Sequence, residues 1–258
     1  MGSVISNSFS FVLTFDDTTC RNFKAARILE ANHVPATFFL SAGRLEKHDV
    51  EEIGSFHEIG SHACTHRRLT DLSTTQVLDE LIESKRIIEE FSGKPVVSFS
   101  FPYGKANQSI RNLARMSGYD VGRGVRIAAP FRTVEDPFDI PIFFSDISLT
   151  TKDRYFYELV YLLKGKSSDS SHLRNFYQQT QNLNPYQSFK RVCLNALENF
   201  DHSSSGKSLI FVCLFHARII GYRDAWQLFE EAVTSLMEIA KPRTFGDLRQ
   251  NVQGFKQT

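Results

Sequence analysis

Phe9-Ser10-Phe11-Val12-Leu13-Thr14-Phe15-Asp16-Asp17 is a β-prone, mostly apolar run that ends on two carboxylates. Such a run reads as a buried strand whose C-terminal end carries polar chemistry. The same construction recurs downstream. Ala36-Thr37-Phe38-Phe39-Leu40 is a second short buried strand, and Glu58 to Cys64 is extended and runs into His62-Ala63-Cys64-Thr65-His66. Val96 to Phe101 is closed by Pro102-Tyr103-Gly104, and Leu209 to Phe215 ends on His216. Further strand-like segments fall near 119–123 and 139–143.

Helical patterns fill the intervals. Residues 19–31 carry helical spacing, and Asp49 to Phe56 reads as a short helix with Asp49 as its cap. The clearest helix runs from about Thr74 to Phe91. Ser73 and Gln76 form a capping box, Val77, Leu81, Ile87, Ile88 and Phe91 form the apolar stripe, and Gly93 and Pro95 stop it. Residues 107–117 and about 225–239 read as two more. Strand alternating with helix argues an α/β protein with a largely parallel sheet. Polar residues gather where the strands end, and several strands feeding one site favour a barrel over an open sheet. The stretch 151–200 differs, reading as almost wholly helical with a Ser-rich break at 166–171. We expect one domain over 1–258 with a helical insertion at about 151–200.

Composition narrows the function classes. Of 258 residues, 41% are hydrophobic and 23% charged, which suits a globular protein with a sizeable core. A formal net charge of +1 leaves no basic excess for nucleic acid or an anionic membrane. No apolar run reaches the roughly 18–20 residues that span a bilayer. Met1 to Phe11 lacks a signal-peptide pattern, and Cys20, Cys64, Cys193 and Cys213 form no CxxC pair. The expectation is free thiols and a cytoplasmic location.

The chemistry lies in three distant stretches: Asp16-Asp17, His62 with His66, and His216. A carboxylate and two imidazoles can hold a divalent metal and leave positions open for water. Paired aspartates at a strand end are costly without a nearby positive charge, and a dication removes that cost. One aspartate can then bind metal while the other takes a proton. The blander alternative is a solvated turn with Asp17 capping the next helix. A His-x-x-x-His spacing is weak alone, but Gly60-Ser61 before it suggests a close-packed approach to the site. Cys64 lies between the histidines; a ligand role is open on spacing, and a small buried residue is the preferred reading. His216, after seven apolar residues, is either a buried hydrogen-bonded histidine or a general acid.

Taken together, Thr14-Phe15-Asp16-Asp17, Pro35-Ala36-Thr37-Phe38-Phe39, His57-Glu58-Ile59-Gly60-Ser61-His62 through His66, Phe101-Pro102-Tyr103-Gly104 and Leu214-Phe215-His216 occur in a characteristic order. The chain resembles the polysaccharide deacetylases, carbohydrate esterase family four, over about 8–125 and 207–245. The resemblance implies a distorted (β/α) barrel of seven to eight strands. It also implies a metal-dependent deacetylase with one divalent metal ion, usually zinc. Carried over by position, Asp16 is the catalytic base, and Asp17, His62 and His66 are the metal ligands. His216 protonates the leaving group. Tyr103 offers its backbone N–H to the oxyanion, with Pro102 in the same substrate-binding turn, and Leu214 helps form the acetyl-methyl pocket.

Three positions depart from the family pattern. Thr18 stands where Gly is common after the aspartates. Ser100 stands where an Arg normally pairs with the catalytic Asp, so another group must tune Asp16. The Trp-containing motif is not recognisable after Gly118-Tyr119, which leaves Asp120, Asp139 and Asp146 as candidates for orienting His216. The expected activity is removal of an acetyl or similar acyl group from an N-acetylated sugar or glycan. The alternatives are a related hydrolase of a non-sugar amide or cyclic imide, and a non-catalytic sugar-binding homologue. The expected partners are a carbohydrate or small-molecule amide substrate and a second copy of the chain, without nucleic acid or a membrane span.

Overall fold

The computed structural model describes residues 9–128, 130–146 and 209–253. β1 (Phe9–Asp16) is the hub. On one side it pairs along Phe9–Phe15 with β7 (Leu209–Phe215), and on the other its Thr14–Asp16 end pairs with β2 (Thr37–Leu40). Ser10–Val12 pair with β8 (Lys241–Arg243). From β2 the sheet continues through β3 (Glu58–Ser61) and β4 (Ser98–Ser100) to β5 (Val121–Arg123), and from β7 to the short β6 (Phe144–Ser145). Every ladder is parallel, and the order is β5-β4-β3-β2-β1-β7-β6 with β8 beside β1. Between β5 and β6 the strand pairing is reduced to an isolated bridge, Ile127 to Ile142. This is the expected distorted (β/α) barrel. The predicted insertion at 151–200 lies outside the described residues.

Among the described residues six α-helices follow the strands: α1 (Arg21–Ala31), α2 (Lys47–Gly54), α3 (Thr74–Ser92), α4 (Gln108–Met116), α5 (Ala217–Tyr222) and α6 (Trp226–Met237). The Ser73 and Gln76 capping box opens α3, and Gly93 at φ 64° ends it in the left-handed region. Asp49 does not cap α2. Glu46 is the N-cap and Asp49 sits three residues on, accepting from the Glu46 N–H at 2.9 Å. The segment expected as a strand at 139–143 is strand only from Phe144, since Pro141 has no N–H to give a ladder.

Period-two alternation divides each strand between two cores. Phe9, Phe11, Leu13 and Phe15 of β1, with Phe211, Cys213 and Phe215 of β7, join the layer under the helices. There Phe15 stacks on Phe38 at 4.7 Å and meets Phe229 edge-on at 5.9 Å. Burying such a side chain stabilises by roughly 1.5–3 kcal/mol. Val12, Phe39, Val121, Ile210, Val212 and Leu214 point the other way, into a second cluster inside the curved sheet. Asp16, Arg123 and His216 share the parity of that inner set. The alternation therefore delivers them to the inside, at the C-terminal ends of their strands.

Candidate active site

Asp17 leaves β1 at φ 73°, a left-handed conformation uncommon for a residue with a side chain. Ala63 at 63°, His66 at 59° and Tyr103 at 57° share it. Among the described residues these are four of the six such non-glycine residues, and Asp17, His66 and Tyr103 line one cavity while Ala63 adjoins His62 of the same lining. Clustering of that kind marks a place where geometry is set by something other than backbone preference. Asp17 does not cap α1; its carbonyl accepts from Asn22 Nδ2 at 2.8 Å, leaving its carboxylate free to face the histidines.

Asp17, His62 and His66 each offer one donor atom, and the three atoms lie within 4.8 Å of one another. His66 Nε2 is 3.2 Å from Asp17 Oδ1 and 3.1 Å from His62 Nε2. His62 Nδ1 is 2.7 Å from the Ser100 carbonyl oxygen, so it donates there and Nε2 is left as a lone pair. Burial lowers the pKa of His62, outweighing Asp16, and keeps the imidazole in the neutral form that ligates metals. One Nε2 proton on His66 cannot serve both acceptors that face it. Two imidazole nitrogens and a carboxylate oxygen converging in this way fit a divalent cation. Cys64 lies outside the cluster, and burial raises its thiol pKa.

The loop bearing the two imidazoles is held from α3. Glu80, 3% exposed, accepts from the N–H groups of Cys64 at 2.9 Å and Thr65 at 2.8 Å, and also from the Thr65 hydroxyl. Arg67 reaches the same carboxylate at 3.2 Å. Gly60 leaves no alternative approach, because a Cβ there would lie 2.5 Å from the Phe39 ring and 2.6 Å from Ser98 Oγ.

Asp16 is buried beside this cluster, its Oδ2 3.9 Å from His62 Nε2. Arg123 Nη2 donates to Asp16 Oδ1 at 2.5 Å, and Ser100 Oγ donates to Oδ2 at 3.1 Å. The partner that Ser100 lacks is thus supplied from the next strand. Burial pushes the Asp16 carboxyl up, but Arg123, aided by His62 and His216, outweighs it and holds the pKa below the ordinary carboxylate value. Arg123 is itself 0% exposed and lies over the Phe39 ring at 5.0 Å.

Across the cavity stands His216. Its Nδ1 is 2.9 Å from Asp146 Oδ1, and its backbone N–H donates to Oδ2 at 2.6 Å. Burial lowers the His216 pKa, yet the bond and charge of Asp146 win and raise it. Among the three aspartates open on sequence, Asp146 is the one that orients His216. Asp139 pairs instead with Arg111 and Arg126, and Asp120 with Arg249.

These groups line one cavity of about 370 Å³. Asp16, Asp17, His62, His66 and His216 face it, with Tyr103 and Leu214 at its wall. Pro102 is buried and opens the turn, and Gly104 rather than Pro102 reaches the cavity. Arg123 and Glu80, which hold Asp16 and the imidazole-bearing loop, carry no signal that the sequence reading could use.

Comparison with known proteins agrees with this picture. A model of the polysaccharide deacetylase family matches residues 5–122. That stretch, which holds the first four motifs, is similar to the polysaccharide deacetylases. The chain is 28% identical over 122 residues to the peptidoglycan-N-acetylmuramic acid deacetylase PdaC of Bacillus subtilis, a match covering 44% of this chain and 26% of PdaC. It is 28% identical over 106 residues to the peptidoglycan-N-acetylglucosamine deacetylase PgdA of Listeria monocytogenes, covering 38% and 22%. The matched region is therefore about a quarter of those relatives' length. In fold, the chain is similar to the Xyl-CE4 domain of a multidomain xylanase from the hindgut metagenome of Trinervitermes trinervoides. The TM-score is 0.57 at 18% identity, over 94% of this chain and 90% of the domain. Wild-type BA3943 of Bacillus anthracis, a pseudoenzyme of carbohydrate esterase family four, has a TM-score of 0.55 at 16% identity, over 95% and 67%.

Proposed function

We propose that the protein is a metal-dependent deacetylase that hydrolyses the acetamido group of an N-acetylated sugar or glycan. The observation that carries this is the meeting of Asp17, His62 and His66 in one cavity with Asp16 on one side and His216 on the other. Asp17, His62 and His66 would hold a single divalent cation, and two imidazoles with one carboxylate suit zinc. A cation held by these three side chains would supply Lewis acidity to the amide carbonyl and would lower the pKa of a nearby water toward about 7.

The chain's own groups do the rest. Asp16 takes a proton from the water as its oxygen adds to the carbonyl carbon. Arg123 and Ser100 fix the carboxylate for that task. Tyr103, in a left-handed turn at the cavity wall, would offer its backbone N–H to the developing oxyanion, where one fixed donor contributes about 2.7–4 kcal/mol. An amine leaves poorly until protonated, and His216, charged through Asp146, gives its proton to the nitrogen as the C–N bond breaks. The products are acetate and a free amino sugar. Leu214 lines the wall that receives the acetyl methyl.

The test is acetate release from N-acetylglucosamine oligomers by the zinc-loaded protein, before and after chelation. Release that the chelator abolishes supports the reading. Zinc-loaded protein that releases no acetate from any N-acetylated saccharide overturns it.

A further inference from the structure

Beside the catalytic cavity, and sharing Asp17, His66, Arg68, Tyr103 and Arg218 with it, lies a larger groove of about 940 Å³. Four guanidinium groups line it, from Arg44, Arg67, Arg68 and Arg218, against the two carboxylates of Asp17 and Asp71. The chain as a whole is nearly neutral, with 30 basic and 29 acidic side chains. The excess is therefore local to the approach to the site.

Two of the four are committed within the protein. Arg67 pairs with Glu80 at 3.2 Å, and Arg218 reaches Asp17 Oδ2 at 3.3 Å. Among the described residues, Arg44 and Arg68 have no carboxylate partner. Arg68 rests on the half-exposed Tyr103 ring at 5.3 Å, and that ring lies 4.9 Å from His66. The wall shared by the cavity and the groove therefore presents an aromatic face backed by a guanidinium.

Both free arginines stand on backbone tied to the imidazole-bearing loop. Arg44 ends a short turn, Ala42–Arg44, in which Ala42 N–H donates to the Ala63 carbonyl at 3.0 Å and Gly43 N–H to the Cys64 carbonyl at 2.8 Å. Arg68 follows His66 by two residues, and its neighbour Arg67 is held by Glu80. Their placement relative to the catalytic cluster is set by that shared anchor.

Planar guanidiniums with free donors recognise carboxylate and phosphate in two-pronged fashion. Resting on the deacetylase reading above, we infer that the substrate is an acidic saccharide. Its anionic group sits on Arg44 and Arg68, in the groove that adjoins the cavity where the acetamido group is hydrolysed.

Binding separates this inference from the activity on which it rests. Calorimetric titration would compare three oligosaccharides of equal length: neutral, carboxylate-bearing and phosphate-bearing. The expected result is that one or both acidic oligomers bind at least tenfold more tightly than the neutral one. Arg44→Gln with Arg68→Gln should remove that preference, weakening the acidic ligand about 10- to 100-fold and the neutral one less than threefold. The stronger acidic ligand shows which anion is read. Equal binding of all three, no binding of any, or equal losses in the variant would each overturn the inference. Acidic binding that depends on these arginines, without acetate release, would instead overturn the deacetylase reading and leave the anion site standing.

Discussion

Arg123 Nη2 lies 2.5 Å from Asp16 Oδ1, although 107 positions separate the two residues in the chain. Both are buried, so neither charge has water to fall back on. Removing one partner strands the other, at a cost of about 3–5 kcal/mol. Arg123→Ala should therefore lower the unfolding midpoint in urea and reduce kcat by at least tenfold. Adding Ser100→Arg to that variant should recover part of both losses, because Ser100 Oγ already lies 3.1 Å from the same carboxylate. A double variant no better than the single one would contradict the idea that position in space, rather than strand of origin, is what matters.

His66→Ala should empty the cluster, since it removes the one ring that touches both Asp17 and His62. Elemental analysis should then find zinc in the parent and none in the variant. Chelation should lower the melting temperature of the parent alone. At a free-metal level 100 times Kd the bound ion contributes roughly 2.7 kcal/mol. Normal zinc occupancy in the variant would remove His66 from the ligand set.

The pair of His216 and Asp146 makes a pH prediction. The folded-state pKa of His216 is raised above the ordinary 6.5. The stability it contributes is thus fully present below about pH 6.5 and fades as pH rises through the raised value. The acid role follows the same sign, persisting to higher pH than a free imidazole allows. Asp146→Asn should move the alkaline limb of the kcat profile to lower pH and cut kcat by about a hundredfold. An unmoved alkaline limb would mean that some other group gives up the proton.

Glu80 touches neither the cavity nor the ligand atoms, yet it fixes the loop between them through two backbone N–H groups. Glu80→Ala should weaken zinc affinity about 10- to 100-fold while far-ultraviolet circular dichroism shows the helices intact. Zinc affinity equal to that of the parent would make the clamp irrelevant to the site.

Gly60 tests the fold. Its missing Cβ keeps Phe39 and Ser98 in place, so Gly60→Ala should destabilise by about 1–3 kcal/mol through overpacking. A variant as stable as the parent would show that the ring and the hydroxyl have room to shift.

Much of this was legible in the chain because the signals are local. Phe9 to Asp16 declares a buried strand, Ser73 and Gln76 declare a helix start, and the strand-end polar residues indicate a common rim. The gathering of Asp17, His62 and His66 followed from those motifs. What escaped has no local signature. Arg123 sits between two glycines, and only the inward parity of Val121 in a correctly placed β5 marks it as buried. Asp146 was one of three equal letters until the chain between β5 and β6 had a path. Asp49 was misread as a cap because α2 begins two residues earlier, at Lys47, with its own acid before it.

The guanidinium that steadies Asp16 enters from the strand beside the customary one. A search that scores letters at fixed places would count Ser100 as a loss and rank this chain with degenerate relatives. The barrel wall offers adjoining staves that aim at a common focus, so a charge can change address without changing target. Degeneracy in such proteins is better judged by whether the acid still has a buried cation against it than by which segment donates it.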